Sequence, residues 1–209
     1  MTSLKTLLLF VTVLSVSFGQ VGISGSLGMG YPYQWRGSNL VESVVVSPDL
    51  TLELEETGLW FDVWGAFARD YKEIDLTVAW DYDFNDNWGM EIVGVSYLYP
   101  GDEFEYSIEP GIALFSYSLP MEPSLFMAYD LNVKSFYTEL AAAESFGLPF
   151  EIGLNYGFYS DSDWNDSHIS LSLTSEFTVG SMTMTPTLGY ALNLSDGDNV
   201  PFLNIILGM

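Results

Sequence analysis

The chain has 209 residues, with 28 acidic side chains against five basic ones, one histidine and no cysteine. That balance excludes nucleic acid as a partner, because phosphate neutralisation needs lysine and arginine, and it argues equally against an anion pathway. A disulfide framework is excluded too, while a hydrophobic content of 48% supports a core in one domain.

The N-terminus reads MTSLK, then LLLFVTVL (7–14), then Ser17-Phe18-Gly19 before Gln20. A positive start, a short apolar run and small residues at minus three and minus one predict a secretory signal peptide, residues 1–19, cut after Gly19. The remainder, residues 20–209, has no linker or composition break and is read as one domain. No stretch approaches the roughly 18 to 20 apolar residues of a membrane-spanning helix. After cleavage four basic residues remain, Arg36, Arg69, Lys72 and Lys134, so the formal charge becomes −24. Such acidity fits either a solvated surface in salty surroundings or a dedicated cation pathway.

From residue 21 onward the dominant signal has period two, which marks strands with unlike faces. VGISGSLGMGY (21–31) sets Val21, Ile23, Leu27, Met29 and Tyr31 against Gly22, Ser24, Ser26, Gly28 and Gly30. PDLTLELE (48–55) repeats the pattern with Leu50, Leu52 and Leu54 opposite Thr51, Glu53 and Glu55. Similar stretches follow at 59–67, 73–82, 88–99, 104–114, 123–131, 135–142, 150–159, 168–177, 182–192 and 202–209. The phase is ambiguous at 59–67, 88–99 and 135–142. Pro110 and Pro186 fall inside predicted strands, where each removes a ladder donor. Short turn-forming connections alternate with several longer or more polar ones, as periplasmic turns alternate with external loops.

One face of these strands is almost wholly Leu, Ile, Val, Met, Phe and Tyr; the other is Gly, Ser, Thr, Ala and carboxylates with almost no lysine. A soluble sandwich solvates its outer face with bulky charges of both signs. Small residues and unpaired acids instead suit a concave wet interior, and so much apolar face suits a hydrocarbon belt. The predicted fold is all-β: a transmembrane antiparallel up-and-down β-barrel of about 12 strands, with 10 or 14 as counting alternatives. It leaves no backbone edge in lipid. Tyr31, Tyr33, Trp35, Trp80, Tyr82, Trp88, Tyr97, Tyr99, Phe158 and Tyr190 gather toward strand ends and are expected to form interfacial girdles.

The ordered set YQWRGSN (33–39), GLWFDVWG (58–65), EIDL (73–76), GVSYLYPG (94–101) followed by Glu105-Tyr106, and FYTEL (136–140) resembles the TorF family of porin-type proteins. The resemblance implies a bacterial outer-membrane β-barrel that passes small solutes.

In the predicted phase Glu53, Glu55, Asp62, Asp75, Glu105, Glu109, Glu139, Glu151 and Glu176 face the lumen. The function expected is passive diffusion of small hydrophilic, cationic or neutral solutes through a barrel in outer-membrane lipid, with the carboxylates favouring cations. The alternative is a plugged structural or adhesive barrel without transport. Arg36 is read as a salt bridge tying the first loop to the wall, or else as a constriction group among the acids. His168-Ile169-Ser170, with Glu176 on the same face, has the outline of a barrel lipid hydrolase and supplies a remote third reading; no enzyme activity is expected. Asp161, Asp163 and Asn165 resemble the first half of a calcium loop but lack glycine at the sixth position and glutamate at the twelfth. A solvated turn is expected there, with loose divalent binding as the alternative. No cofactor motif is visible.

Overall fold

A computed structural model describes residues 21–101, 105–160, 165–195 and 197–208. The leader at 1–19, Asp161 and Asp163 lie outside these residues. Every regular element described is a strand: β1 (Val21–Tyr31), β2 (Tyr33–Trp35), β3 (Ser38–Val41), β4 (Val45–Leu54), β5 (Leu59–Phe67), β6 (Lys72–Asn85), β7 (Trp88–Tyr99), β8 (Glu105–Ser116), β9 (Ser124–Asp130), β10 (Ser135–Glu144), β11 (Glu151–Ser160), β12 (Asn165–Thr174), β13 (Phe177–Val179), β14 (Met182–Asn193) and β15 (Asn199–Gly208).

Each wall strand pairs antiparallel with its neighbours, and the sheet closes because β1 pairs with β4 on one edge and with β15 on the other. β13 prolongs β12: Thr174 faces Thr187 and Phe177 faces Met184, so one register continues on both sides of a two-residue break. The break lies opposite Pro186, which has no N–H to give the ladder. The wall is therefore a closed barrel of 12 strands, and closure leaves no backbone groups unpaired at an edge. A ten-residue strand such as β4 rises about 33 Å; tilted as barrel strands are, it covers an apolar band of about 25 Å.

Burial is inverted relative to a soluble protein. The exposed side chains include Ile23, Leu50, Val63, Leu76, Ile92, Leu140, Leu154, Leu171 and Leu188, whereas the buried ones include Ala66, Ala79, Ala113, Ala128 and Ala191 together with Glu73, Glu109, Asp130, Asp166 and His168. Cross-strand pairs such as Ile23 with Leu52, Leu50 with Val63, and Leu154 with Leu171 keep the apolar set on one side. Such an exterior is stable only against hydrocarbon.

The barrel has two unlike ends. The connections at 55–58, 86–87, 117–123, 145–150 and 180–181 share one end with Val21 and are called the turn end. The opposite, loop end carries residues 32–44, 68–71, 131–134 and 194–198. An outward aromatic girdle survives at the turn end, where Trp80 stacks on Tyr82 at 5.4 Å between centroids and Tyr82 meets Phe84 edge-on. The girdle expectation fails for Tyr33, Trp35, Tyr97 and Tyr99. They lie in the phase, or on the loop, that turns inward, and they pack against one another or against lumen carboxylates. Period two assigns an aromatic to a face only if its strand phase is known, and β7 is one of the three strands, with β5 and β10, whose phase was ambiguous.

Candidate functional site: an inward hairpin over an acidic lumen

The first long connection does not stay outside. β2 and β3 form a hairpin of their own, with Trp35 paired to Ser38 across the two-residue turn Arg36-Gly37. Both turn residues have positive φ, 51° and 78°, the requirement of a tight type I′ hairpin. Gly37 meets it without strain, and a Cβ there would lie 2.3 Å from the Cβ of His168, so the tip sits directly on β12. Arg36 meets it at a cost, which the ion pair at its far end offsets.

That ion pair is with Glu109 of β8. One guanidinium nitrogen donates to Oε2 at 2.7 Å and the other donates to Oε1, a two-point geometry that fits the planar fork of arginine. Both side chains are largely shielded, at 10% and 2% exposure. The guanidinium also lies over the ring of Tyr137, 3.9 Å from its centroid, and over that of Trp35. Burial alone would lower the Arg36 pKa, but the Glu109 hydrogen bond and charge outweigh it and leave the value raised. Tyr97 donates a further bond to Glu109.

Three more contacts fix the hairpin. The Tyr33 hydroxyl donates to Glu73 Oε2 at 2.7 Å, and Tyr71 donates to the same oxygen at 2.9 Å. Burial, and then the charge of Glu73, raise the Tyr33 pKa, so the phenol stays a neutral donor. Trp35 stands edge-on between Tyr97 and Tyr159, and the Gln34 amide donates to the carbonyl of Val200 on β15. The hairpin thus reaches across the barrel from β6 to β15.

Two neighbouring cavities flank and underlie it, both lined by Asp49. The first, of about 550 Å³, is bounded by Tyr33, Arg36 and Gly37 of the hairpin and by wall residues including Trp64, Tyr137, Glu139, Asn155 and His168. The second, of about 680 Å³, opens toward the turn end and is lined by Glu53, Glu55, Glu56, Asp62, Asp81 and Glu91. In it Thr51 donates to Asp62 at 2.9 Å and Trp60 donates to Asp81 at 3.1 Å.

The residues singled out from the sequence are distributed as follows. Glu53, Glu55 and Asp62 line the turn-end cavity; Glu139 and Arg36 line the hairpin cavity, with Tyr137 donating to Glu139. Glu109 is consumed by the Arg36 pair. Asp75 shares the inward phase of Glu73, with one carboxylate oxygen buried and unpartnered. Glu105 and Glu151 sit exposed at the first positions of β8 and β11, near opposite ends. Glu176 lies in the break between β12 and β13. It is therefore eight residues, or about 26 Å of strand, from His168, so the His168, Ser170 and Glu176 constellation of a hydrolase is not assembled. His168 instead stacks on Tyr137, nearly parallel at 9°. Asn165 is exposed at the start of β12, and no group of three or more metal-ligating side chains occurs among the described residues. Asp49, Glu73, Asp81 and Glu91 were missed. Glu73, Asp81 and Asp49 share the phase of Asp75 or Glu53, and that signal was available.

Fold and lumen together define a membrane-spanning 12-stranded β-barrel with its first loop folded into the lumen. No protein-family model matches the chain, and no curated protein matches its sequence. Solved structures do match in fold. The KdgM porin superposes with a TM-score of 0.67 at 10% identity, covering 88% of this chain and 97% of that one. The NanC porin gives 0.62 at 11% identity with the same coverages, and the KdgM porin in complex with disordered oligogalacturonate gives 0.61 at 11%, covering 88% and 96%. At such identities the likeness is one of architecture.

Proposed function

We propose that this protein is a porin-type channel of the bacterial outer membrane, exported by the leader at 1–19, through which small hydrophilic cations and neutral solutes diffuse. The observation that carries the reading is the charge inventory of the lumen. Asp49, Glu53, Glu55, Asp62, Asp81, Glu91 and Glu139 line the two cavities, while Arg36 is already neutralised by Glu109. Carboxylates in a narrow, partly desolvated passage lower the energy of a cation and raise that of an anion. The barrel likeness to porins supports a channel, but one structural neighbour was solved with a polyanionic sugar acid. An acid-lined lumen argues for the opposite solute charge here. The ordered motifs at 33–39, 58–65, 73–76, 94–106 and 136–140 support placement in the TorF family.

The test is single-channel recording in planar bilayers with a KCl gradient. A reversal potential on the potassium side is expected, and neutralising Glu53, Glu55 and Asp62 together should move it toward zero. A chloride preference would end the reading. The hairpin supports a second reading, a lumen plugged for structural or adhesive purposes. That reading predicts no conductance and no uptake of small solutes into liposomes.

A further inference from the structure

The hairpin cavity differs from the turn-end one in having several aromatic walls. Trp64, Phe126 and Phe202 give it apolar walls, and Asp49, Glu139 and Asn155 give it hydrogen-bond acceptors. Three observations bear on what would fit it. First, the one guanidinium at its rim is held at two points by Glu109 and covered by the Tyr137 ring, so its charge is already compensated. Second, the Oδ1 atom of Asn155 is buried with no hydrogen-bond partner. An unpaired buried acceptor is costly, and a ligand donor placed there removes the cost. Third, the cross-strand register aligns Glu139 with Gly157, and Asn155 with both Ala141 and Ser170. The Asn155 amide therefore stands one diagonal step along the wall from Glu139, with the His168 ring and the Tyr137 hydroxyl lying over Gly157 beside them.

We propose that this cavity is a binding site for a small primary amine with an aromatic or otherwise apolar body. An ammonium brings three donors and the positive charge that Asp49 and Glu139 leave uncompensated. Aromatic walls stack on the body and favour the cation over their faces. A volume of about 550 Å³ lies within the range of small-molecule sites, about 300 to 1,000 Å³. A neutral polyol would pair with the acceptors but leave the carboxylate charge unbalanced in a partly enclosed space, and an anion would be repelled. The inference rests on the cation-preferring lumen proposed above and names its solute class.

A charge series at constant shape tests it: tyramine, its neutral analogue tyrosol, and the anion 4-hydroxyphenylacetate. Titration calorimetry on the full-length barrel in detergent reads binding whether or not the pore conducts, and block of the potassium current reads occupancy in bilayers. Tyramine is expected to bind about ten-fold or more tightly than tyrosol, as one compensated part-buried charge implies. The anion is expected not to bind. Asp49→Asn should weaken tyramine about three-fold or more and leave tyrosol unchanged, since it removes charge alone, and Asn155→Leu should weaken tyramine about three-fold or more. Heat-modifiable gel migration shows that each variant has folded, and if one has not, the charge series on the native sequence decides alone. Equal binding of tyramine and tyrosol, or wild-type affinity in both folded variants, overturns the site. Potassium preference without tyramine binding removes the site and keeps the channel; tyramine binding without potassium preference removes the diffusion reading alone.

Discussion

Arg36→Ala is the most direct perturbation of the lumen. It deletes a two-point ion pair in which the partners are 10% and 2% exposed, and it also deletes the cation's contacts with the Tyr137 and Trp35 rings. Removing one member of a buried pair costs about 3 to 5 kcal/mol when the other is stranded. Here the emptied space adjoins a cavity, so water can reach Glu109, and the lower bound applies. About 3 kcal/mol lost from the docked hairpin shifts its equilibrium toward release more than about a hundred-fold, at 1.4 kcal/mol per factor of ten. Tyr33 and Gln34 remain as anchors, so the hairpin should become intermittent rather than absent. Single-channel recordings should then show larger, flickering conductance with stronger potassium preference, because one lumen cation is gone. A folded Arg36→Ala barrel with the conductance and noise of the native protein would refute the reasoning: the pair would then be a bystander.

Other consequences follow from the same contacts. Gly37→Ala places a Cβ 2.3 Å from that of His168 at a positive φ; it should raise conductance without changing the reversal potential, since no charge is altered. Glu73→Leu strands the Tyr33 and Tyr71 hydroxyls and should cost about 2 to 3 kcal/mol of hairpin docking, whereas Glu73→Gln keeps an acceptor and should cost under about 1 kcal/mol. Limited proteolysis within residues 33–41 distinguishes the two. The Tyr33 pKa is raised by burial and by Glu73, with Tyr71 and Asp75 adding to it. Its stabilising contribution is thus complete below the unfolded phenol value of about 10 and fades as pH climbs toward the folded value. Above that threshold the native protein should lose hairpin protection, and Tyr33→Phe should lack that alkaline component.

The barrel was legible because lipid on one side and water on the other impose a strict period of two, and twelve repetitions make the pattern hard to mistake. Inward carboxylates in regular stretches, such as Glu53 and Asp75, follow from phase alone. The hairpin was not legible as a plug. Its anchors are remote, with Arg36 and Glu109 separated by 73 positions and Gln34 and Val200 by 166, and local pattern carries no information at that range. What the sequence does hold is the Arg-Gly turn between two short alternating runs, which marks a hairpin but not the side to which it folds. Tyr97 and Trp35 were misplaced for the same reason. Aromatics near strand ends suit an interface from outside and a packed constriction from inside equally well, and only the register decides.

The hairpin has one further implication. Nine contiguous residues meet eight wall strands, so the obstruction across the lumen is written in a single short cassette instead of being scattered around the circumference. Substitutions within 33–41 can retune passage without disturbing the alternation that keeps the barrel in the membrane. The wall is bound by lipid and can drift little; the cassette is answerable only to the cargo, and variation among relatives with different solutes should concentrate there.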